Sequence, residues 1–198
     1  MFDIVEGTLE NDAKAEEETI SQGFSSELEF KRLYDSAFPV IFRVAFRVTN
    51  SREAAEDLCQ ESFFRLYERN MVFPNPEEAK YWLIRVVKNA SLNYAKRKER
   101  ERKAYQRAFK EDVRVEETGE GILVKKETSE EVQRALEKLP ENLRMVLVLK
   151  EYAEMNYKEI GRVLGISEGN VKVRVFRARE RLALIMNELE AEGGKNVS

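Results

Sequence analysis

The stretch Asn156-Tyr-Lys-Glu-Ile-Gly-Arg-Val-Leu-Gly-Ile-Ser-Glu-Gly-Asn-Val-Lys-Val-Arg-Val-Phe-Arg-Ala-Arg-Glu-Arg-Leu182 carries the clearest instructions in the chain. Asn156 with Glu159 three residues on reads as a capping box, and Ile160, Val163 and Leu164 form one apolar helical face. Gly165 suits the left-handed position that ends a helix, because it has no Cβ to clash. Ser167 is then the N-cap of a second helix that carries Val171, Val175 and Leu182 inward. Two short helices joined by a glycine-containing turn make a helix-turn-helix, whose second helix can enter a DNA major groove.

The outward side of that second helix is basic. Lys172, Arg174, Arg177, Arg179 and Arg181 face only Glu168 and Glu180 as acidic residues. A charged run of this kind is often just a solvated helix surface in a bundle. Here two capped helices, the glycine turn and the basic excess coincide, and together they point to DNA.

Net charge is only −3 over 198 residues, which on its face argues against a nucleic-acid binder. The charge is segregated, however. Residues 1–29 hold nine acidic groups and one basic, whereas residues 96–110 hold eight basic and two acidic. There is no histidine, which removes the commonest general base and metal ligand, and Cys59 is the lone cysteine. Neither a zinc cluster nor a disulfide framework can be built, so no metal and no cofactor is expected and an enzyme is disfavoured. No apolar run approaches membrane-spanning length and the acidic N-terminus is no signal peptide, so the expectation is a cytoplasmic protein without membrane insertion.

Residues 1–26 read as an acidic mobile tail, either a simple extension or a mimic that shields basic surfaces. Helical periodicity begins at Leu28 and continues through Leu33, Phe38, Ile41 and Phe46, with Pro39 expected to kink or divide the helix. Asn50 with Glu53 reads as the next capping box, opening a helix over 52–69 that buries Ala55, Leu58, Cys59 and Leu66. That helix leaves Asp57, Gln60, Glu61 and at least one of Phe63 and Phe64 outside. After a loop with two prolines, Asn75 caps a long helix with Pro76 first and Glu78 completing the box. Arg85, Lys88, Asn89, Asn93, Lys96 and Arg97 recur at spacings of three and four, hence on one polar face. Trp82 fits either as core or as a stacking platform.

From residue 104 to about 128 the apolar pattern fails and Gly119 and Gly121 appear, so a flexible linker is placed there. A second domain, 129–192, opens with a helix carrying Val132, Leu136 and Leu139 that stops at Pro140; a nearly all-apolar segment, 143–149, leads into the helix-turn-helix. Residues 193–198 are expected to fray. The fold class expected is all-α: two small helical domains, 27–103 and 129–192, joined by a flexible linker.

In this order the segments resemble the bacterial RNA polymerase sigma factors of the compact extracytoplasmic-function (ECF) type. Ala55-Glu-Asp-Leu-Cys-Gln-Glu-Ser-Phe-Phe-Arg-Leu-Tyr67 and Tyr81-Trp-Leu-Ile-Arg-Val-Val-Lys-Asn-Ala90 resemble the family's region 2; Leu139-Pro-Glu-Asn-Leu-Arg-Met-Val-Leu147 with the helix-turn-helix resembles region 4. The resemblance implies that Asp57, Gln60, Glu61, Phe63 and Phe64 bind core polymerase. It also implies that Trp82, Arg85, Lys88, Asn89, Asn93, Lys96 and Arg97 serve the −10 element and its melting, Asn89 taking a flipped base. The −35 element falls to Ser167, Lys172, Val173, Arg174, Phe176, Arg177 and Arg179. Val173 stands where the family often has a small polar residue, which suggests an apolar contact such as a thymine methyl. Partners implied are core RNA polymerase, promoter DNA and an anti-sigma factor. The alternative is a helix-turn-helix regulator that does not bind core polymerase; the Asp57–Phe64 face discriminates, since a simple repressor has no use for it.

Overall fold

The computed structural model describes residues 27–69, 71–109 and 123–194, and every regular element in them is helical. The expectations for the acidic tail, for the glycine-bearing middle of the linker and for residues 195–198 lie outside the described residues. Three helices form the first part: α1 (Glu27–Thr49), α2 (Arg52–Glu68) and α3 (Pro76–Phe109). The second part holds α4 (Leu123–Lys138), α5 (Glu141–Leu147) running into a π-helical turn (Val148–Tyr152), α6 (Tyr157–Leu164) and α7 (Glu168–Gly194).

Pro39 lies inside α1 without dividing it. It is exposed, so the backbone bond it cannot donate is lost on the solvent side. The capping box expected at Asn50 does not form. Asn50 instead takes a positive φ of 50° and donates its N–H to the Phe46 carbonyl, closing α1, and the Ser51 hydroxyl caps α2 by accepting from the Ala54 N–H. An Asn tolerates the left-handed region well, so it ends one helix while its neighbour starts the next. Asn75 does cap α3 through the Glu78 N–H at 3.0 Å, but the Glu78 carboxylate turns to Arg162 rather than back to the cap. Helix also extends into both ends of the stretch expected as linker, through Phe109 and from Leu123. Apolar periodicity stops at Tyr94, but Glu99 holds Arg102 and Lys103 across single turns, and such pairs support a solvated helix that buries nothing.

The apolar faces of α1, α2 and α3 bury Ile41, Val44, Cys59, Leu66, Leu83 and Ile84 among others; α4 to α7 bury Leu136, Val146, Leu149, Ile160, Val171 and Val175. These buried residues form one continuous cluster, so the two halves lie against each other rather than hanging apart. Burial raises the Cys59 thiol, helped by the Glu56 carboxylate, to a pKa of about 12.

Candidate nucleic-acid interface

The helix-turn-helix forms as its residues dictate. Asn156 Oδ1 accepts from the Glu159 N–H at 3.0 Å, and Glu159 Oε2 accepts from the Asn156 N–H at 2.7 Å. Gly165 sits at φ 69° and donates to the Gly161 carbonyl, which also accepts from the Ile166 N–H at 3.0 Å. The Asn170 N–H donates to Ser167 Oγ at 3.3 Å, making Ser167 the cap of α7. The second helix is not short: α7 runs 27 residues, because Ile185 is buried and Met186 and Leu189 are half-buried beyond the helix-turn-helix proper. Its first turns project Lys172, Val173, Phe176 and Arg177 into solvent, with Val173 47% and Phe176 64% exposed. Lys172 is held by Glu168 at 3.1 Å, whereas Arg177 makes no ion pair among the described residues and is free to reach a base edge. Arg179 pairs with Glu151 at 2.8 Å, and Arg174 is half-buried beside a cleft. Asn170, exposed in the first turn of α7, was not singled out by charge or period, although an amide in that turn also faces outward.

Along α3, Arg85, Asn89, Asn93, Lys96 and Arg97 are exposed on one polar side, with Lys88 half-buried among them. Burial and the neighbouring Arg85 charge lower the Lys88 pKa, opposed by Glu141. Trp82 is half-buried, its ring 6.0 Å from Phe73 in the preceding loop, so it serves as the rim of the core. Further along, a cleft of 1190 Å³ opens between the basic end of α3, carrying Lys96, Lys98, Arg100 and Arg102, and Glu137 and Arg144 of α4 and α5.

On α2, Asp57, Gln60, Glu61 and Phe64 are exposed together, Phe64 by 58%, and Tyr67 adds a 68% exposed ring. Phe63 departs from its expected place. It is 4% exposed and packs edge-on against Phe30, 5.9 Å between centroids, so it supports this face from beneath. A one-residue step along a helix turns a side chain by about 100°, which separates the adjacent phenylalanines.

Residues 33–101 match the Sigma-70 region 2 family model, and residues 129–182 match Sigma-70, region 4. The ECF RNA polymerase sigma factor SigM of Bacillus subtilis is 30% identical over 164 residues, covering 78% of this chain and 93% of that one. The chain belongs to the ECF RNA polymerase sigma factors.

SigW of Bacillus subtilis is similarly close, 29% identical over 164 residues, 75% of this chain and 84% of its own. SigE of Mycolicibacterium smegmatis is 32% identical over 147 residues, and the match spans 55% of that longer protein. Among solved structures, the sigma factor RpoE of Bartonella quintana, in complex with the anti-sigma factor NepR, shares the fold at TM-score 0.60 and 22% identity over 80% of this chain and 97% of its own. CnrH in complex with the cytosolic domain of CnrY shares it at TM-score 0.63 and 20% identity over 84% of this chain and 93% of its own. A helix-turn-helix regulator outside this family is therefore not the better description. Among the described residues no group of acidic and cysteine side chains could hold a metal, and no helix is long and apolar enough to cross a membrane.

What the sequence of this sigma factor did not announce is the seam between its halves. Arg162 of α6 reaches Glu78 of α3 at 2.6 Å and lies over the Tyr81 ring, 5.1 Å from its centroid. Tyr81 donates its hydroxyl to Glu159 at 2.8 Å, and Arg85 donates to the Arg162 carbonyl at 3.3 Å. Burial, then the bond to Glu159, push the Tyr81 phenol up to about 12, so it remains a donor across ordinary pH. From α1, Arg43 donates to the Tyr152 carbonyl at 2.8 Å, and Arg47 lies 4.4 Å from the Tyr152 ring centroid.

Proposed function

We propose that this sigma factor confers promoter recognition on core RNA polymerase, holding the polymerase through α2, the −35 element through α7 and the −10 element through α3. The observation that carries the reading is the α2 face. Asp57, Gln60, Glu61, Phe64 and Tyr67 stand exposed on a helix whose other side is core, in a chain that also presents a helix-turn-helix. Exposed aromatics ringed by polar groups suit a protein partner, and nothing in DNA recognition calls for acidic groups there.

On the duplex, Arg177 takes a guanine edge by two parallel hydrogen bonds, Val173 and Phe176 offer apolar contact to a thymine methyl, and Lys172 serves phosphate or guanine. On the opened strand, the Asn89 amide reads an unstacked base, and Arg85, Lys88, Asn93, Lys96 and Arg97 hold the backbone. Strand opening needs no chemistry in this chain. Capture of flipped bases offsets the cost of unpairing, and the factor acts in the cytoplasm as a dissociable subunit with no catalytic step of its own. An anti-sigma factor is the expected antagonist, since the structural relatives were solved bound to one or to a partner's cytosolic domain.

The test is competition for core polymerase by the double variant Asp57→Arg, Gln60→Ala. Affinity should fall at least tenfold, because truncating hydrogen-bonded interface groups costs about 2–5 kcal/mol. Unchanged affinity, with an unchanged circular dichroism spectrum, would remove α2 as the polymerase-binding face.

A further inference from the structure

The first turn of α7 holds two residues that neither the core nor the internal polar contacts explain. Gly169 is exposed, its φ is not positive, and a Cβ added there would meet nothing within 4 Å. The fold therefore has no use for a glycine at this point. A glycine inside a helix is destabilising relative to alanine, since it loses more conformational freedom on folding. What a bare backbone does offer is close approach by another molecule. Asn170 is the other residue. Its N–H goes to Ser167 Oγ, but its exposed side-chain amide has no partner among the described residues.

Asn170 shares its side of α7 with Arg177. Seven residues are nearly two helical turns, which leaves the two side chains about 20° apart around the axis and ~10.5 Å apart along it. Val173 stands exposed between them. Lys172 is held by Glu168 at 3.1 Å, so Asn170 and Arg177 are the exposed polar side chains of these turns left without a partner among the described residues. In a helix-turn-helix the first residues of the second helix meet base edges. A side-chain amide sets an acceptor oxygen beside N–H donors, the complement of the N6 donor and N7 acceptor that adenine presents in the major groove. Base pairs in B-form DNA rise about 3.4 Å each, so the distance from Asn170 to Arg177 along the groove spans roughly three steps.

We infer that Asn170 is a specificity-determining residue of the duplex-reading surface, taking an adenine by two hydrogen bonds about three base pairs from the guanine of Arg177, and that Gly169 is where the DNA backbone passes against α7. The inference deepens the proposed reading of the upstream element and rests on it. It gives that element an internal order: adenine at Asn170, an apolar contact at Val173, guanine at Arg177. The glycine and the amide act together, since only a helix seated close to the duplex brings so short a side chain to a base edge.

Selection by the full chain from duplexes carrying a randomised stretch, then anisotropy on the selected duplex and its single-base variants, tests both assignments. Paired hydrogen bonds to one base discriminate against the others by roughly tenfold, so Asn170→Ala should reduce the preference at one adenine to within about twofold and leave the guanine preference intact. Gly169→Ala should weaken every duplex by about threefold or more without altering any base preference, while its thermal midpoint rises by about 2 °C because helix propensity improves. Circular dichroism should be unchanged in both variants. A uniform loss across all duplexes for Asn170→Ala would make the amide a phosphate contact and overturn the adenine assignment, and so would an unchanged preference profile. Full affinity for Gly169→Ala, or a lowered midpoint, would overturn the close approach. Either failure leaves the upstream reading standing if the wild type still enriches a sequence. Enrichment of nothing by the wild type would remove that reading, and this inference with it.

Discussion

Under the proposed function Arg177 and Asn89 divide the reading of DNA between duplex and opened strand, and each can be removed alone. Arg177→Ala should lose roughly 1–3 kcal/mol on upstream duplex and relax specificity at one position, measured by anisotropy across single-base variants of the site. Asn89→Ala should leave that binding untouched, weaken capture of a single-stranded downstream element and slow opening, seen as reduced permanganate reactivity; a premelted template should recover part of the rate. Equal losses on upstream duplex for both variants would break the division. Cys59 makes a third residue-scale case. With its thiol raised to about 12, the thiolate at pH 8 is about a thousandfold scarcer than for a thiol at its ordinary value of 9. Native protein should therefore resist iodoacetamide while denatured protein alkylates within minutes, followed by mass spectrometry. The family resemblance was enough to mark Arg177 and Asn89 as candidates. It was not enough to separate Phe63 from Phe64, because a pair of adjacent aromatics on a helix leaves the burial of each to the packing of α1.

Among the elements, the turn between α6 and α7 closes on Gly161, whose carbonyl takes two N–H groups. A Cβ there would lie 2.7 Å from the Ile166 carbonyl oxygen, a backbone atom that cannot step aside. Replacing a helical glycine by alanine ordinarily gains up to about 1 kcal/mol. Gly161→Ala should do the reverse and lower stability by about 1–3 kcal/mol through overpacking, read as a drop in thermal midpoint together with lost duplex binding. A rise in midpoint would show that the turn yields. Capping chemistry made α6 and the start of α7 legible, because Asn156, Glu159, Gly165 and Ser167 each leave one reasonable role. The α1–α2 junction was misread by one residue, since Asn50 and Ser51 are both good caps and only the left-handed turn at Asn50 decides between them. The last turns of α3 escaped detection for a different reason: residues 101–107 are exposed, and exposed helix carries no apolar period.

At the scale of the molecule, two helical parts in this order could be read from the sequence, but their mutual contact could not. The polar seam is made by long charged side chains and two tyrosines, residue types that look the same whether they meet water, DNA or another helix. The π-helical turn at Val148–Tyr152 adds a consequence of its own. It places the Tyr152 carbonyl and ring against Arg43 and Arg47 of α1, one face of the turn meeting the first half while Val148 and Leu149 remain in the core. Such a turn holds one residue more than an α-helix would need, and one residue is worth about 100° of rotation and 1.5 Å of advance. Deleting Lys150 should therefore let the helix regularise and swing Tyr152 out of register with Arg43 and Arg47. Duplex binding by the helix-turn-helix should persist, while small-angle scattering reports an expanded free protein; a compact deletion variant would contradict this. The surplus residue acts as a length gauge: it sets the angular phase at which one half of the protein is presented to the other.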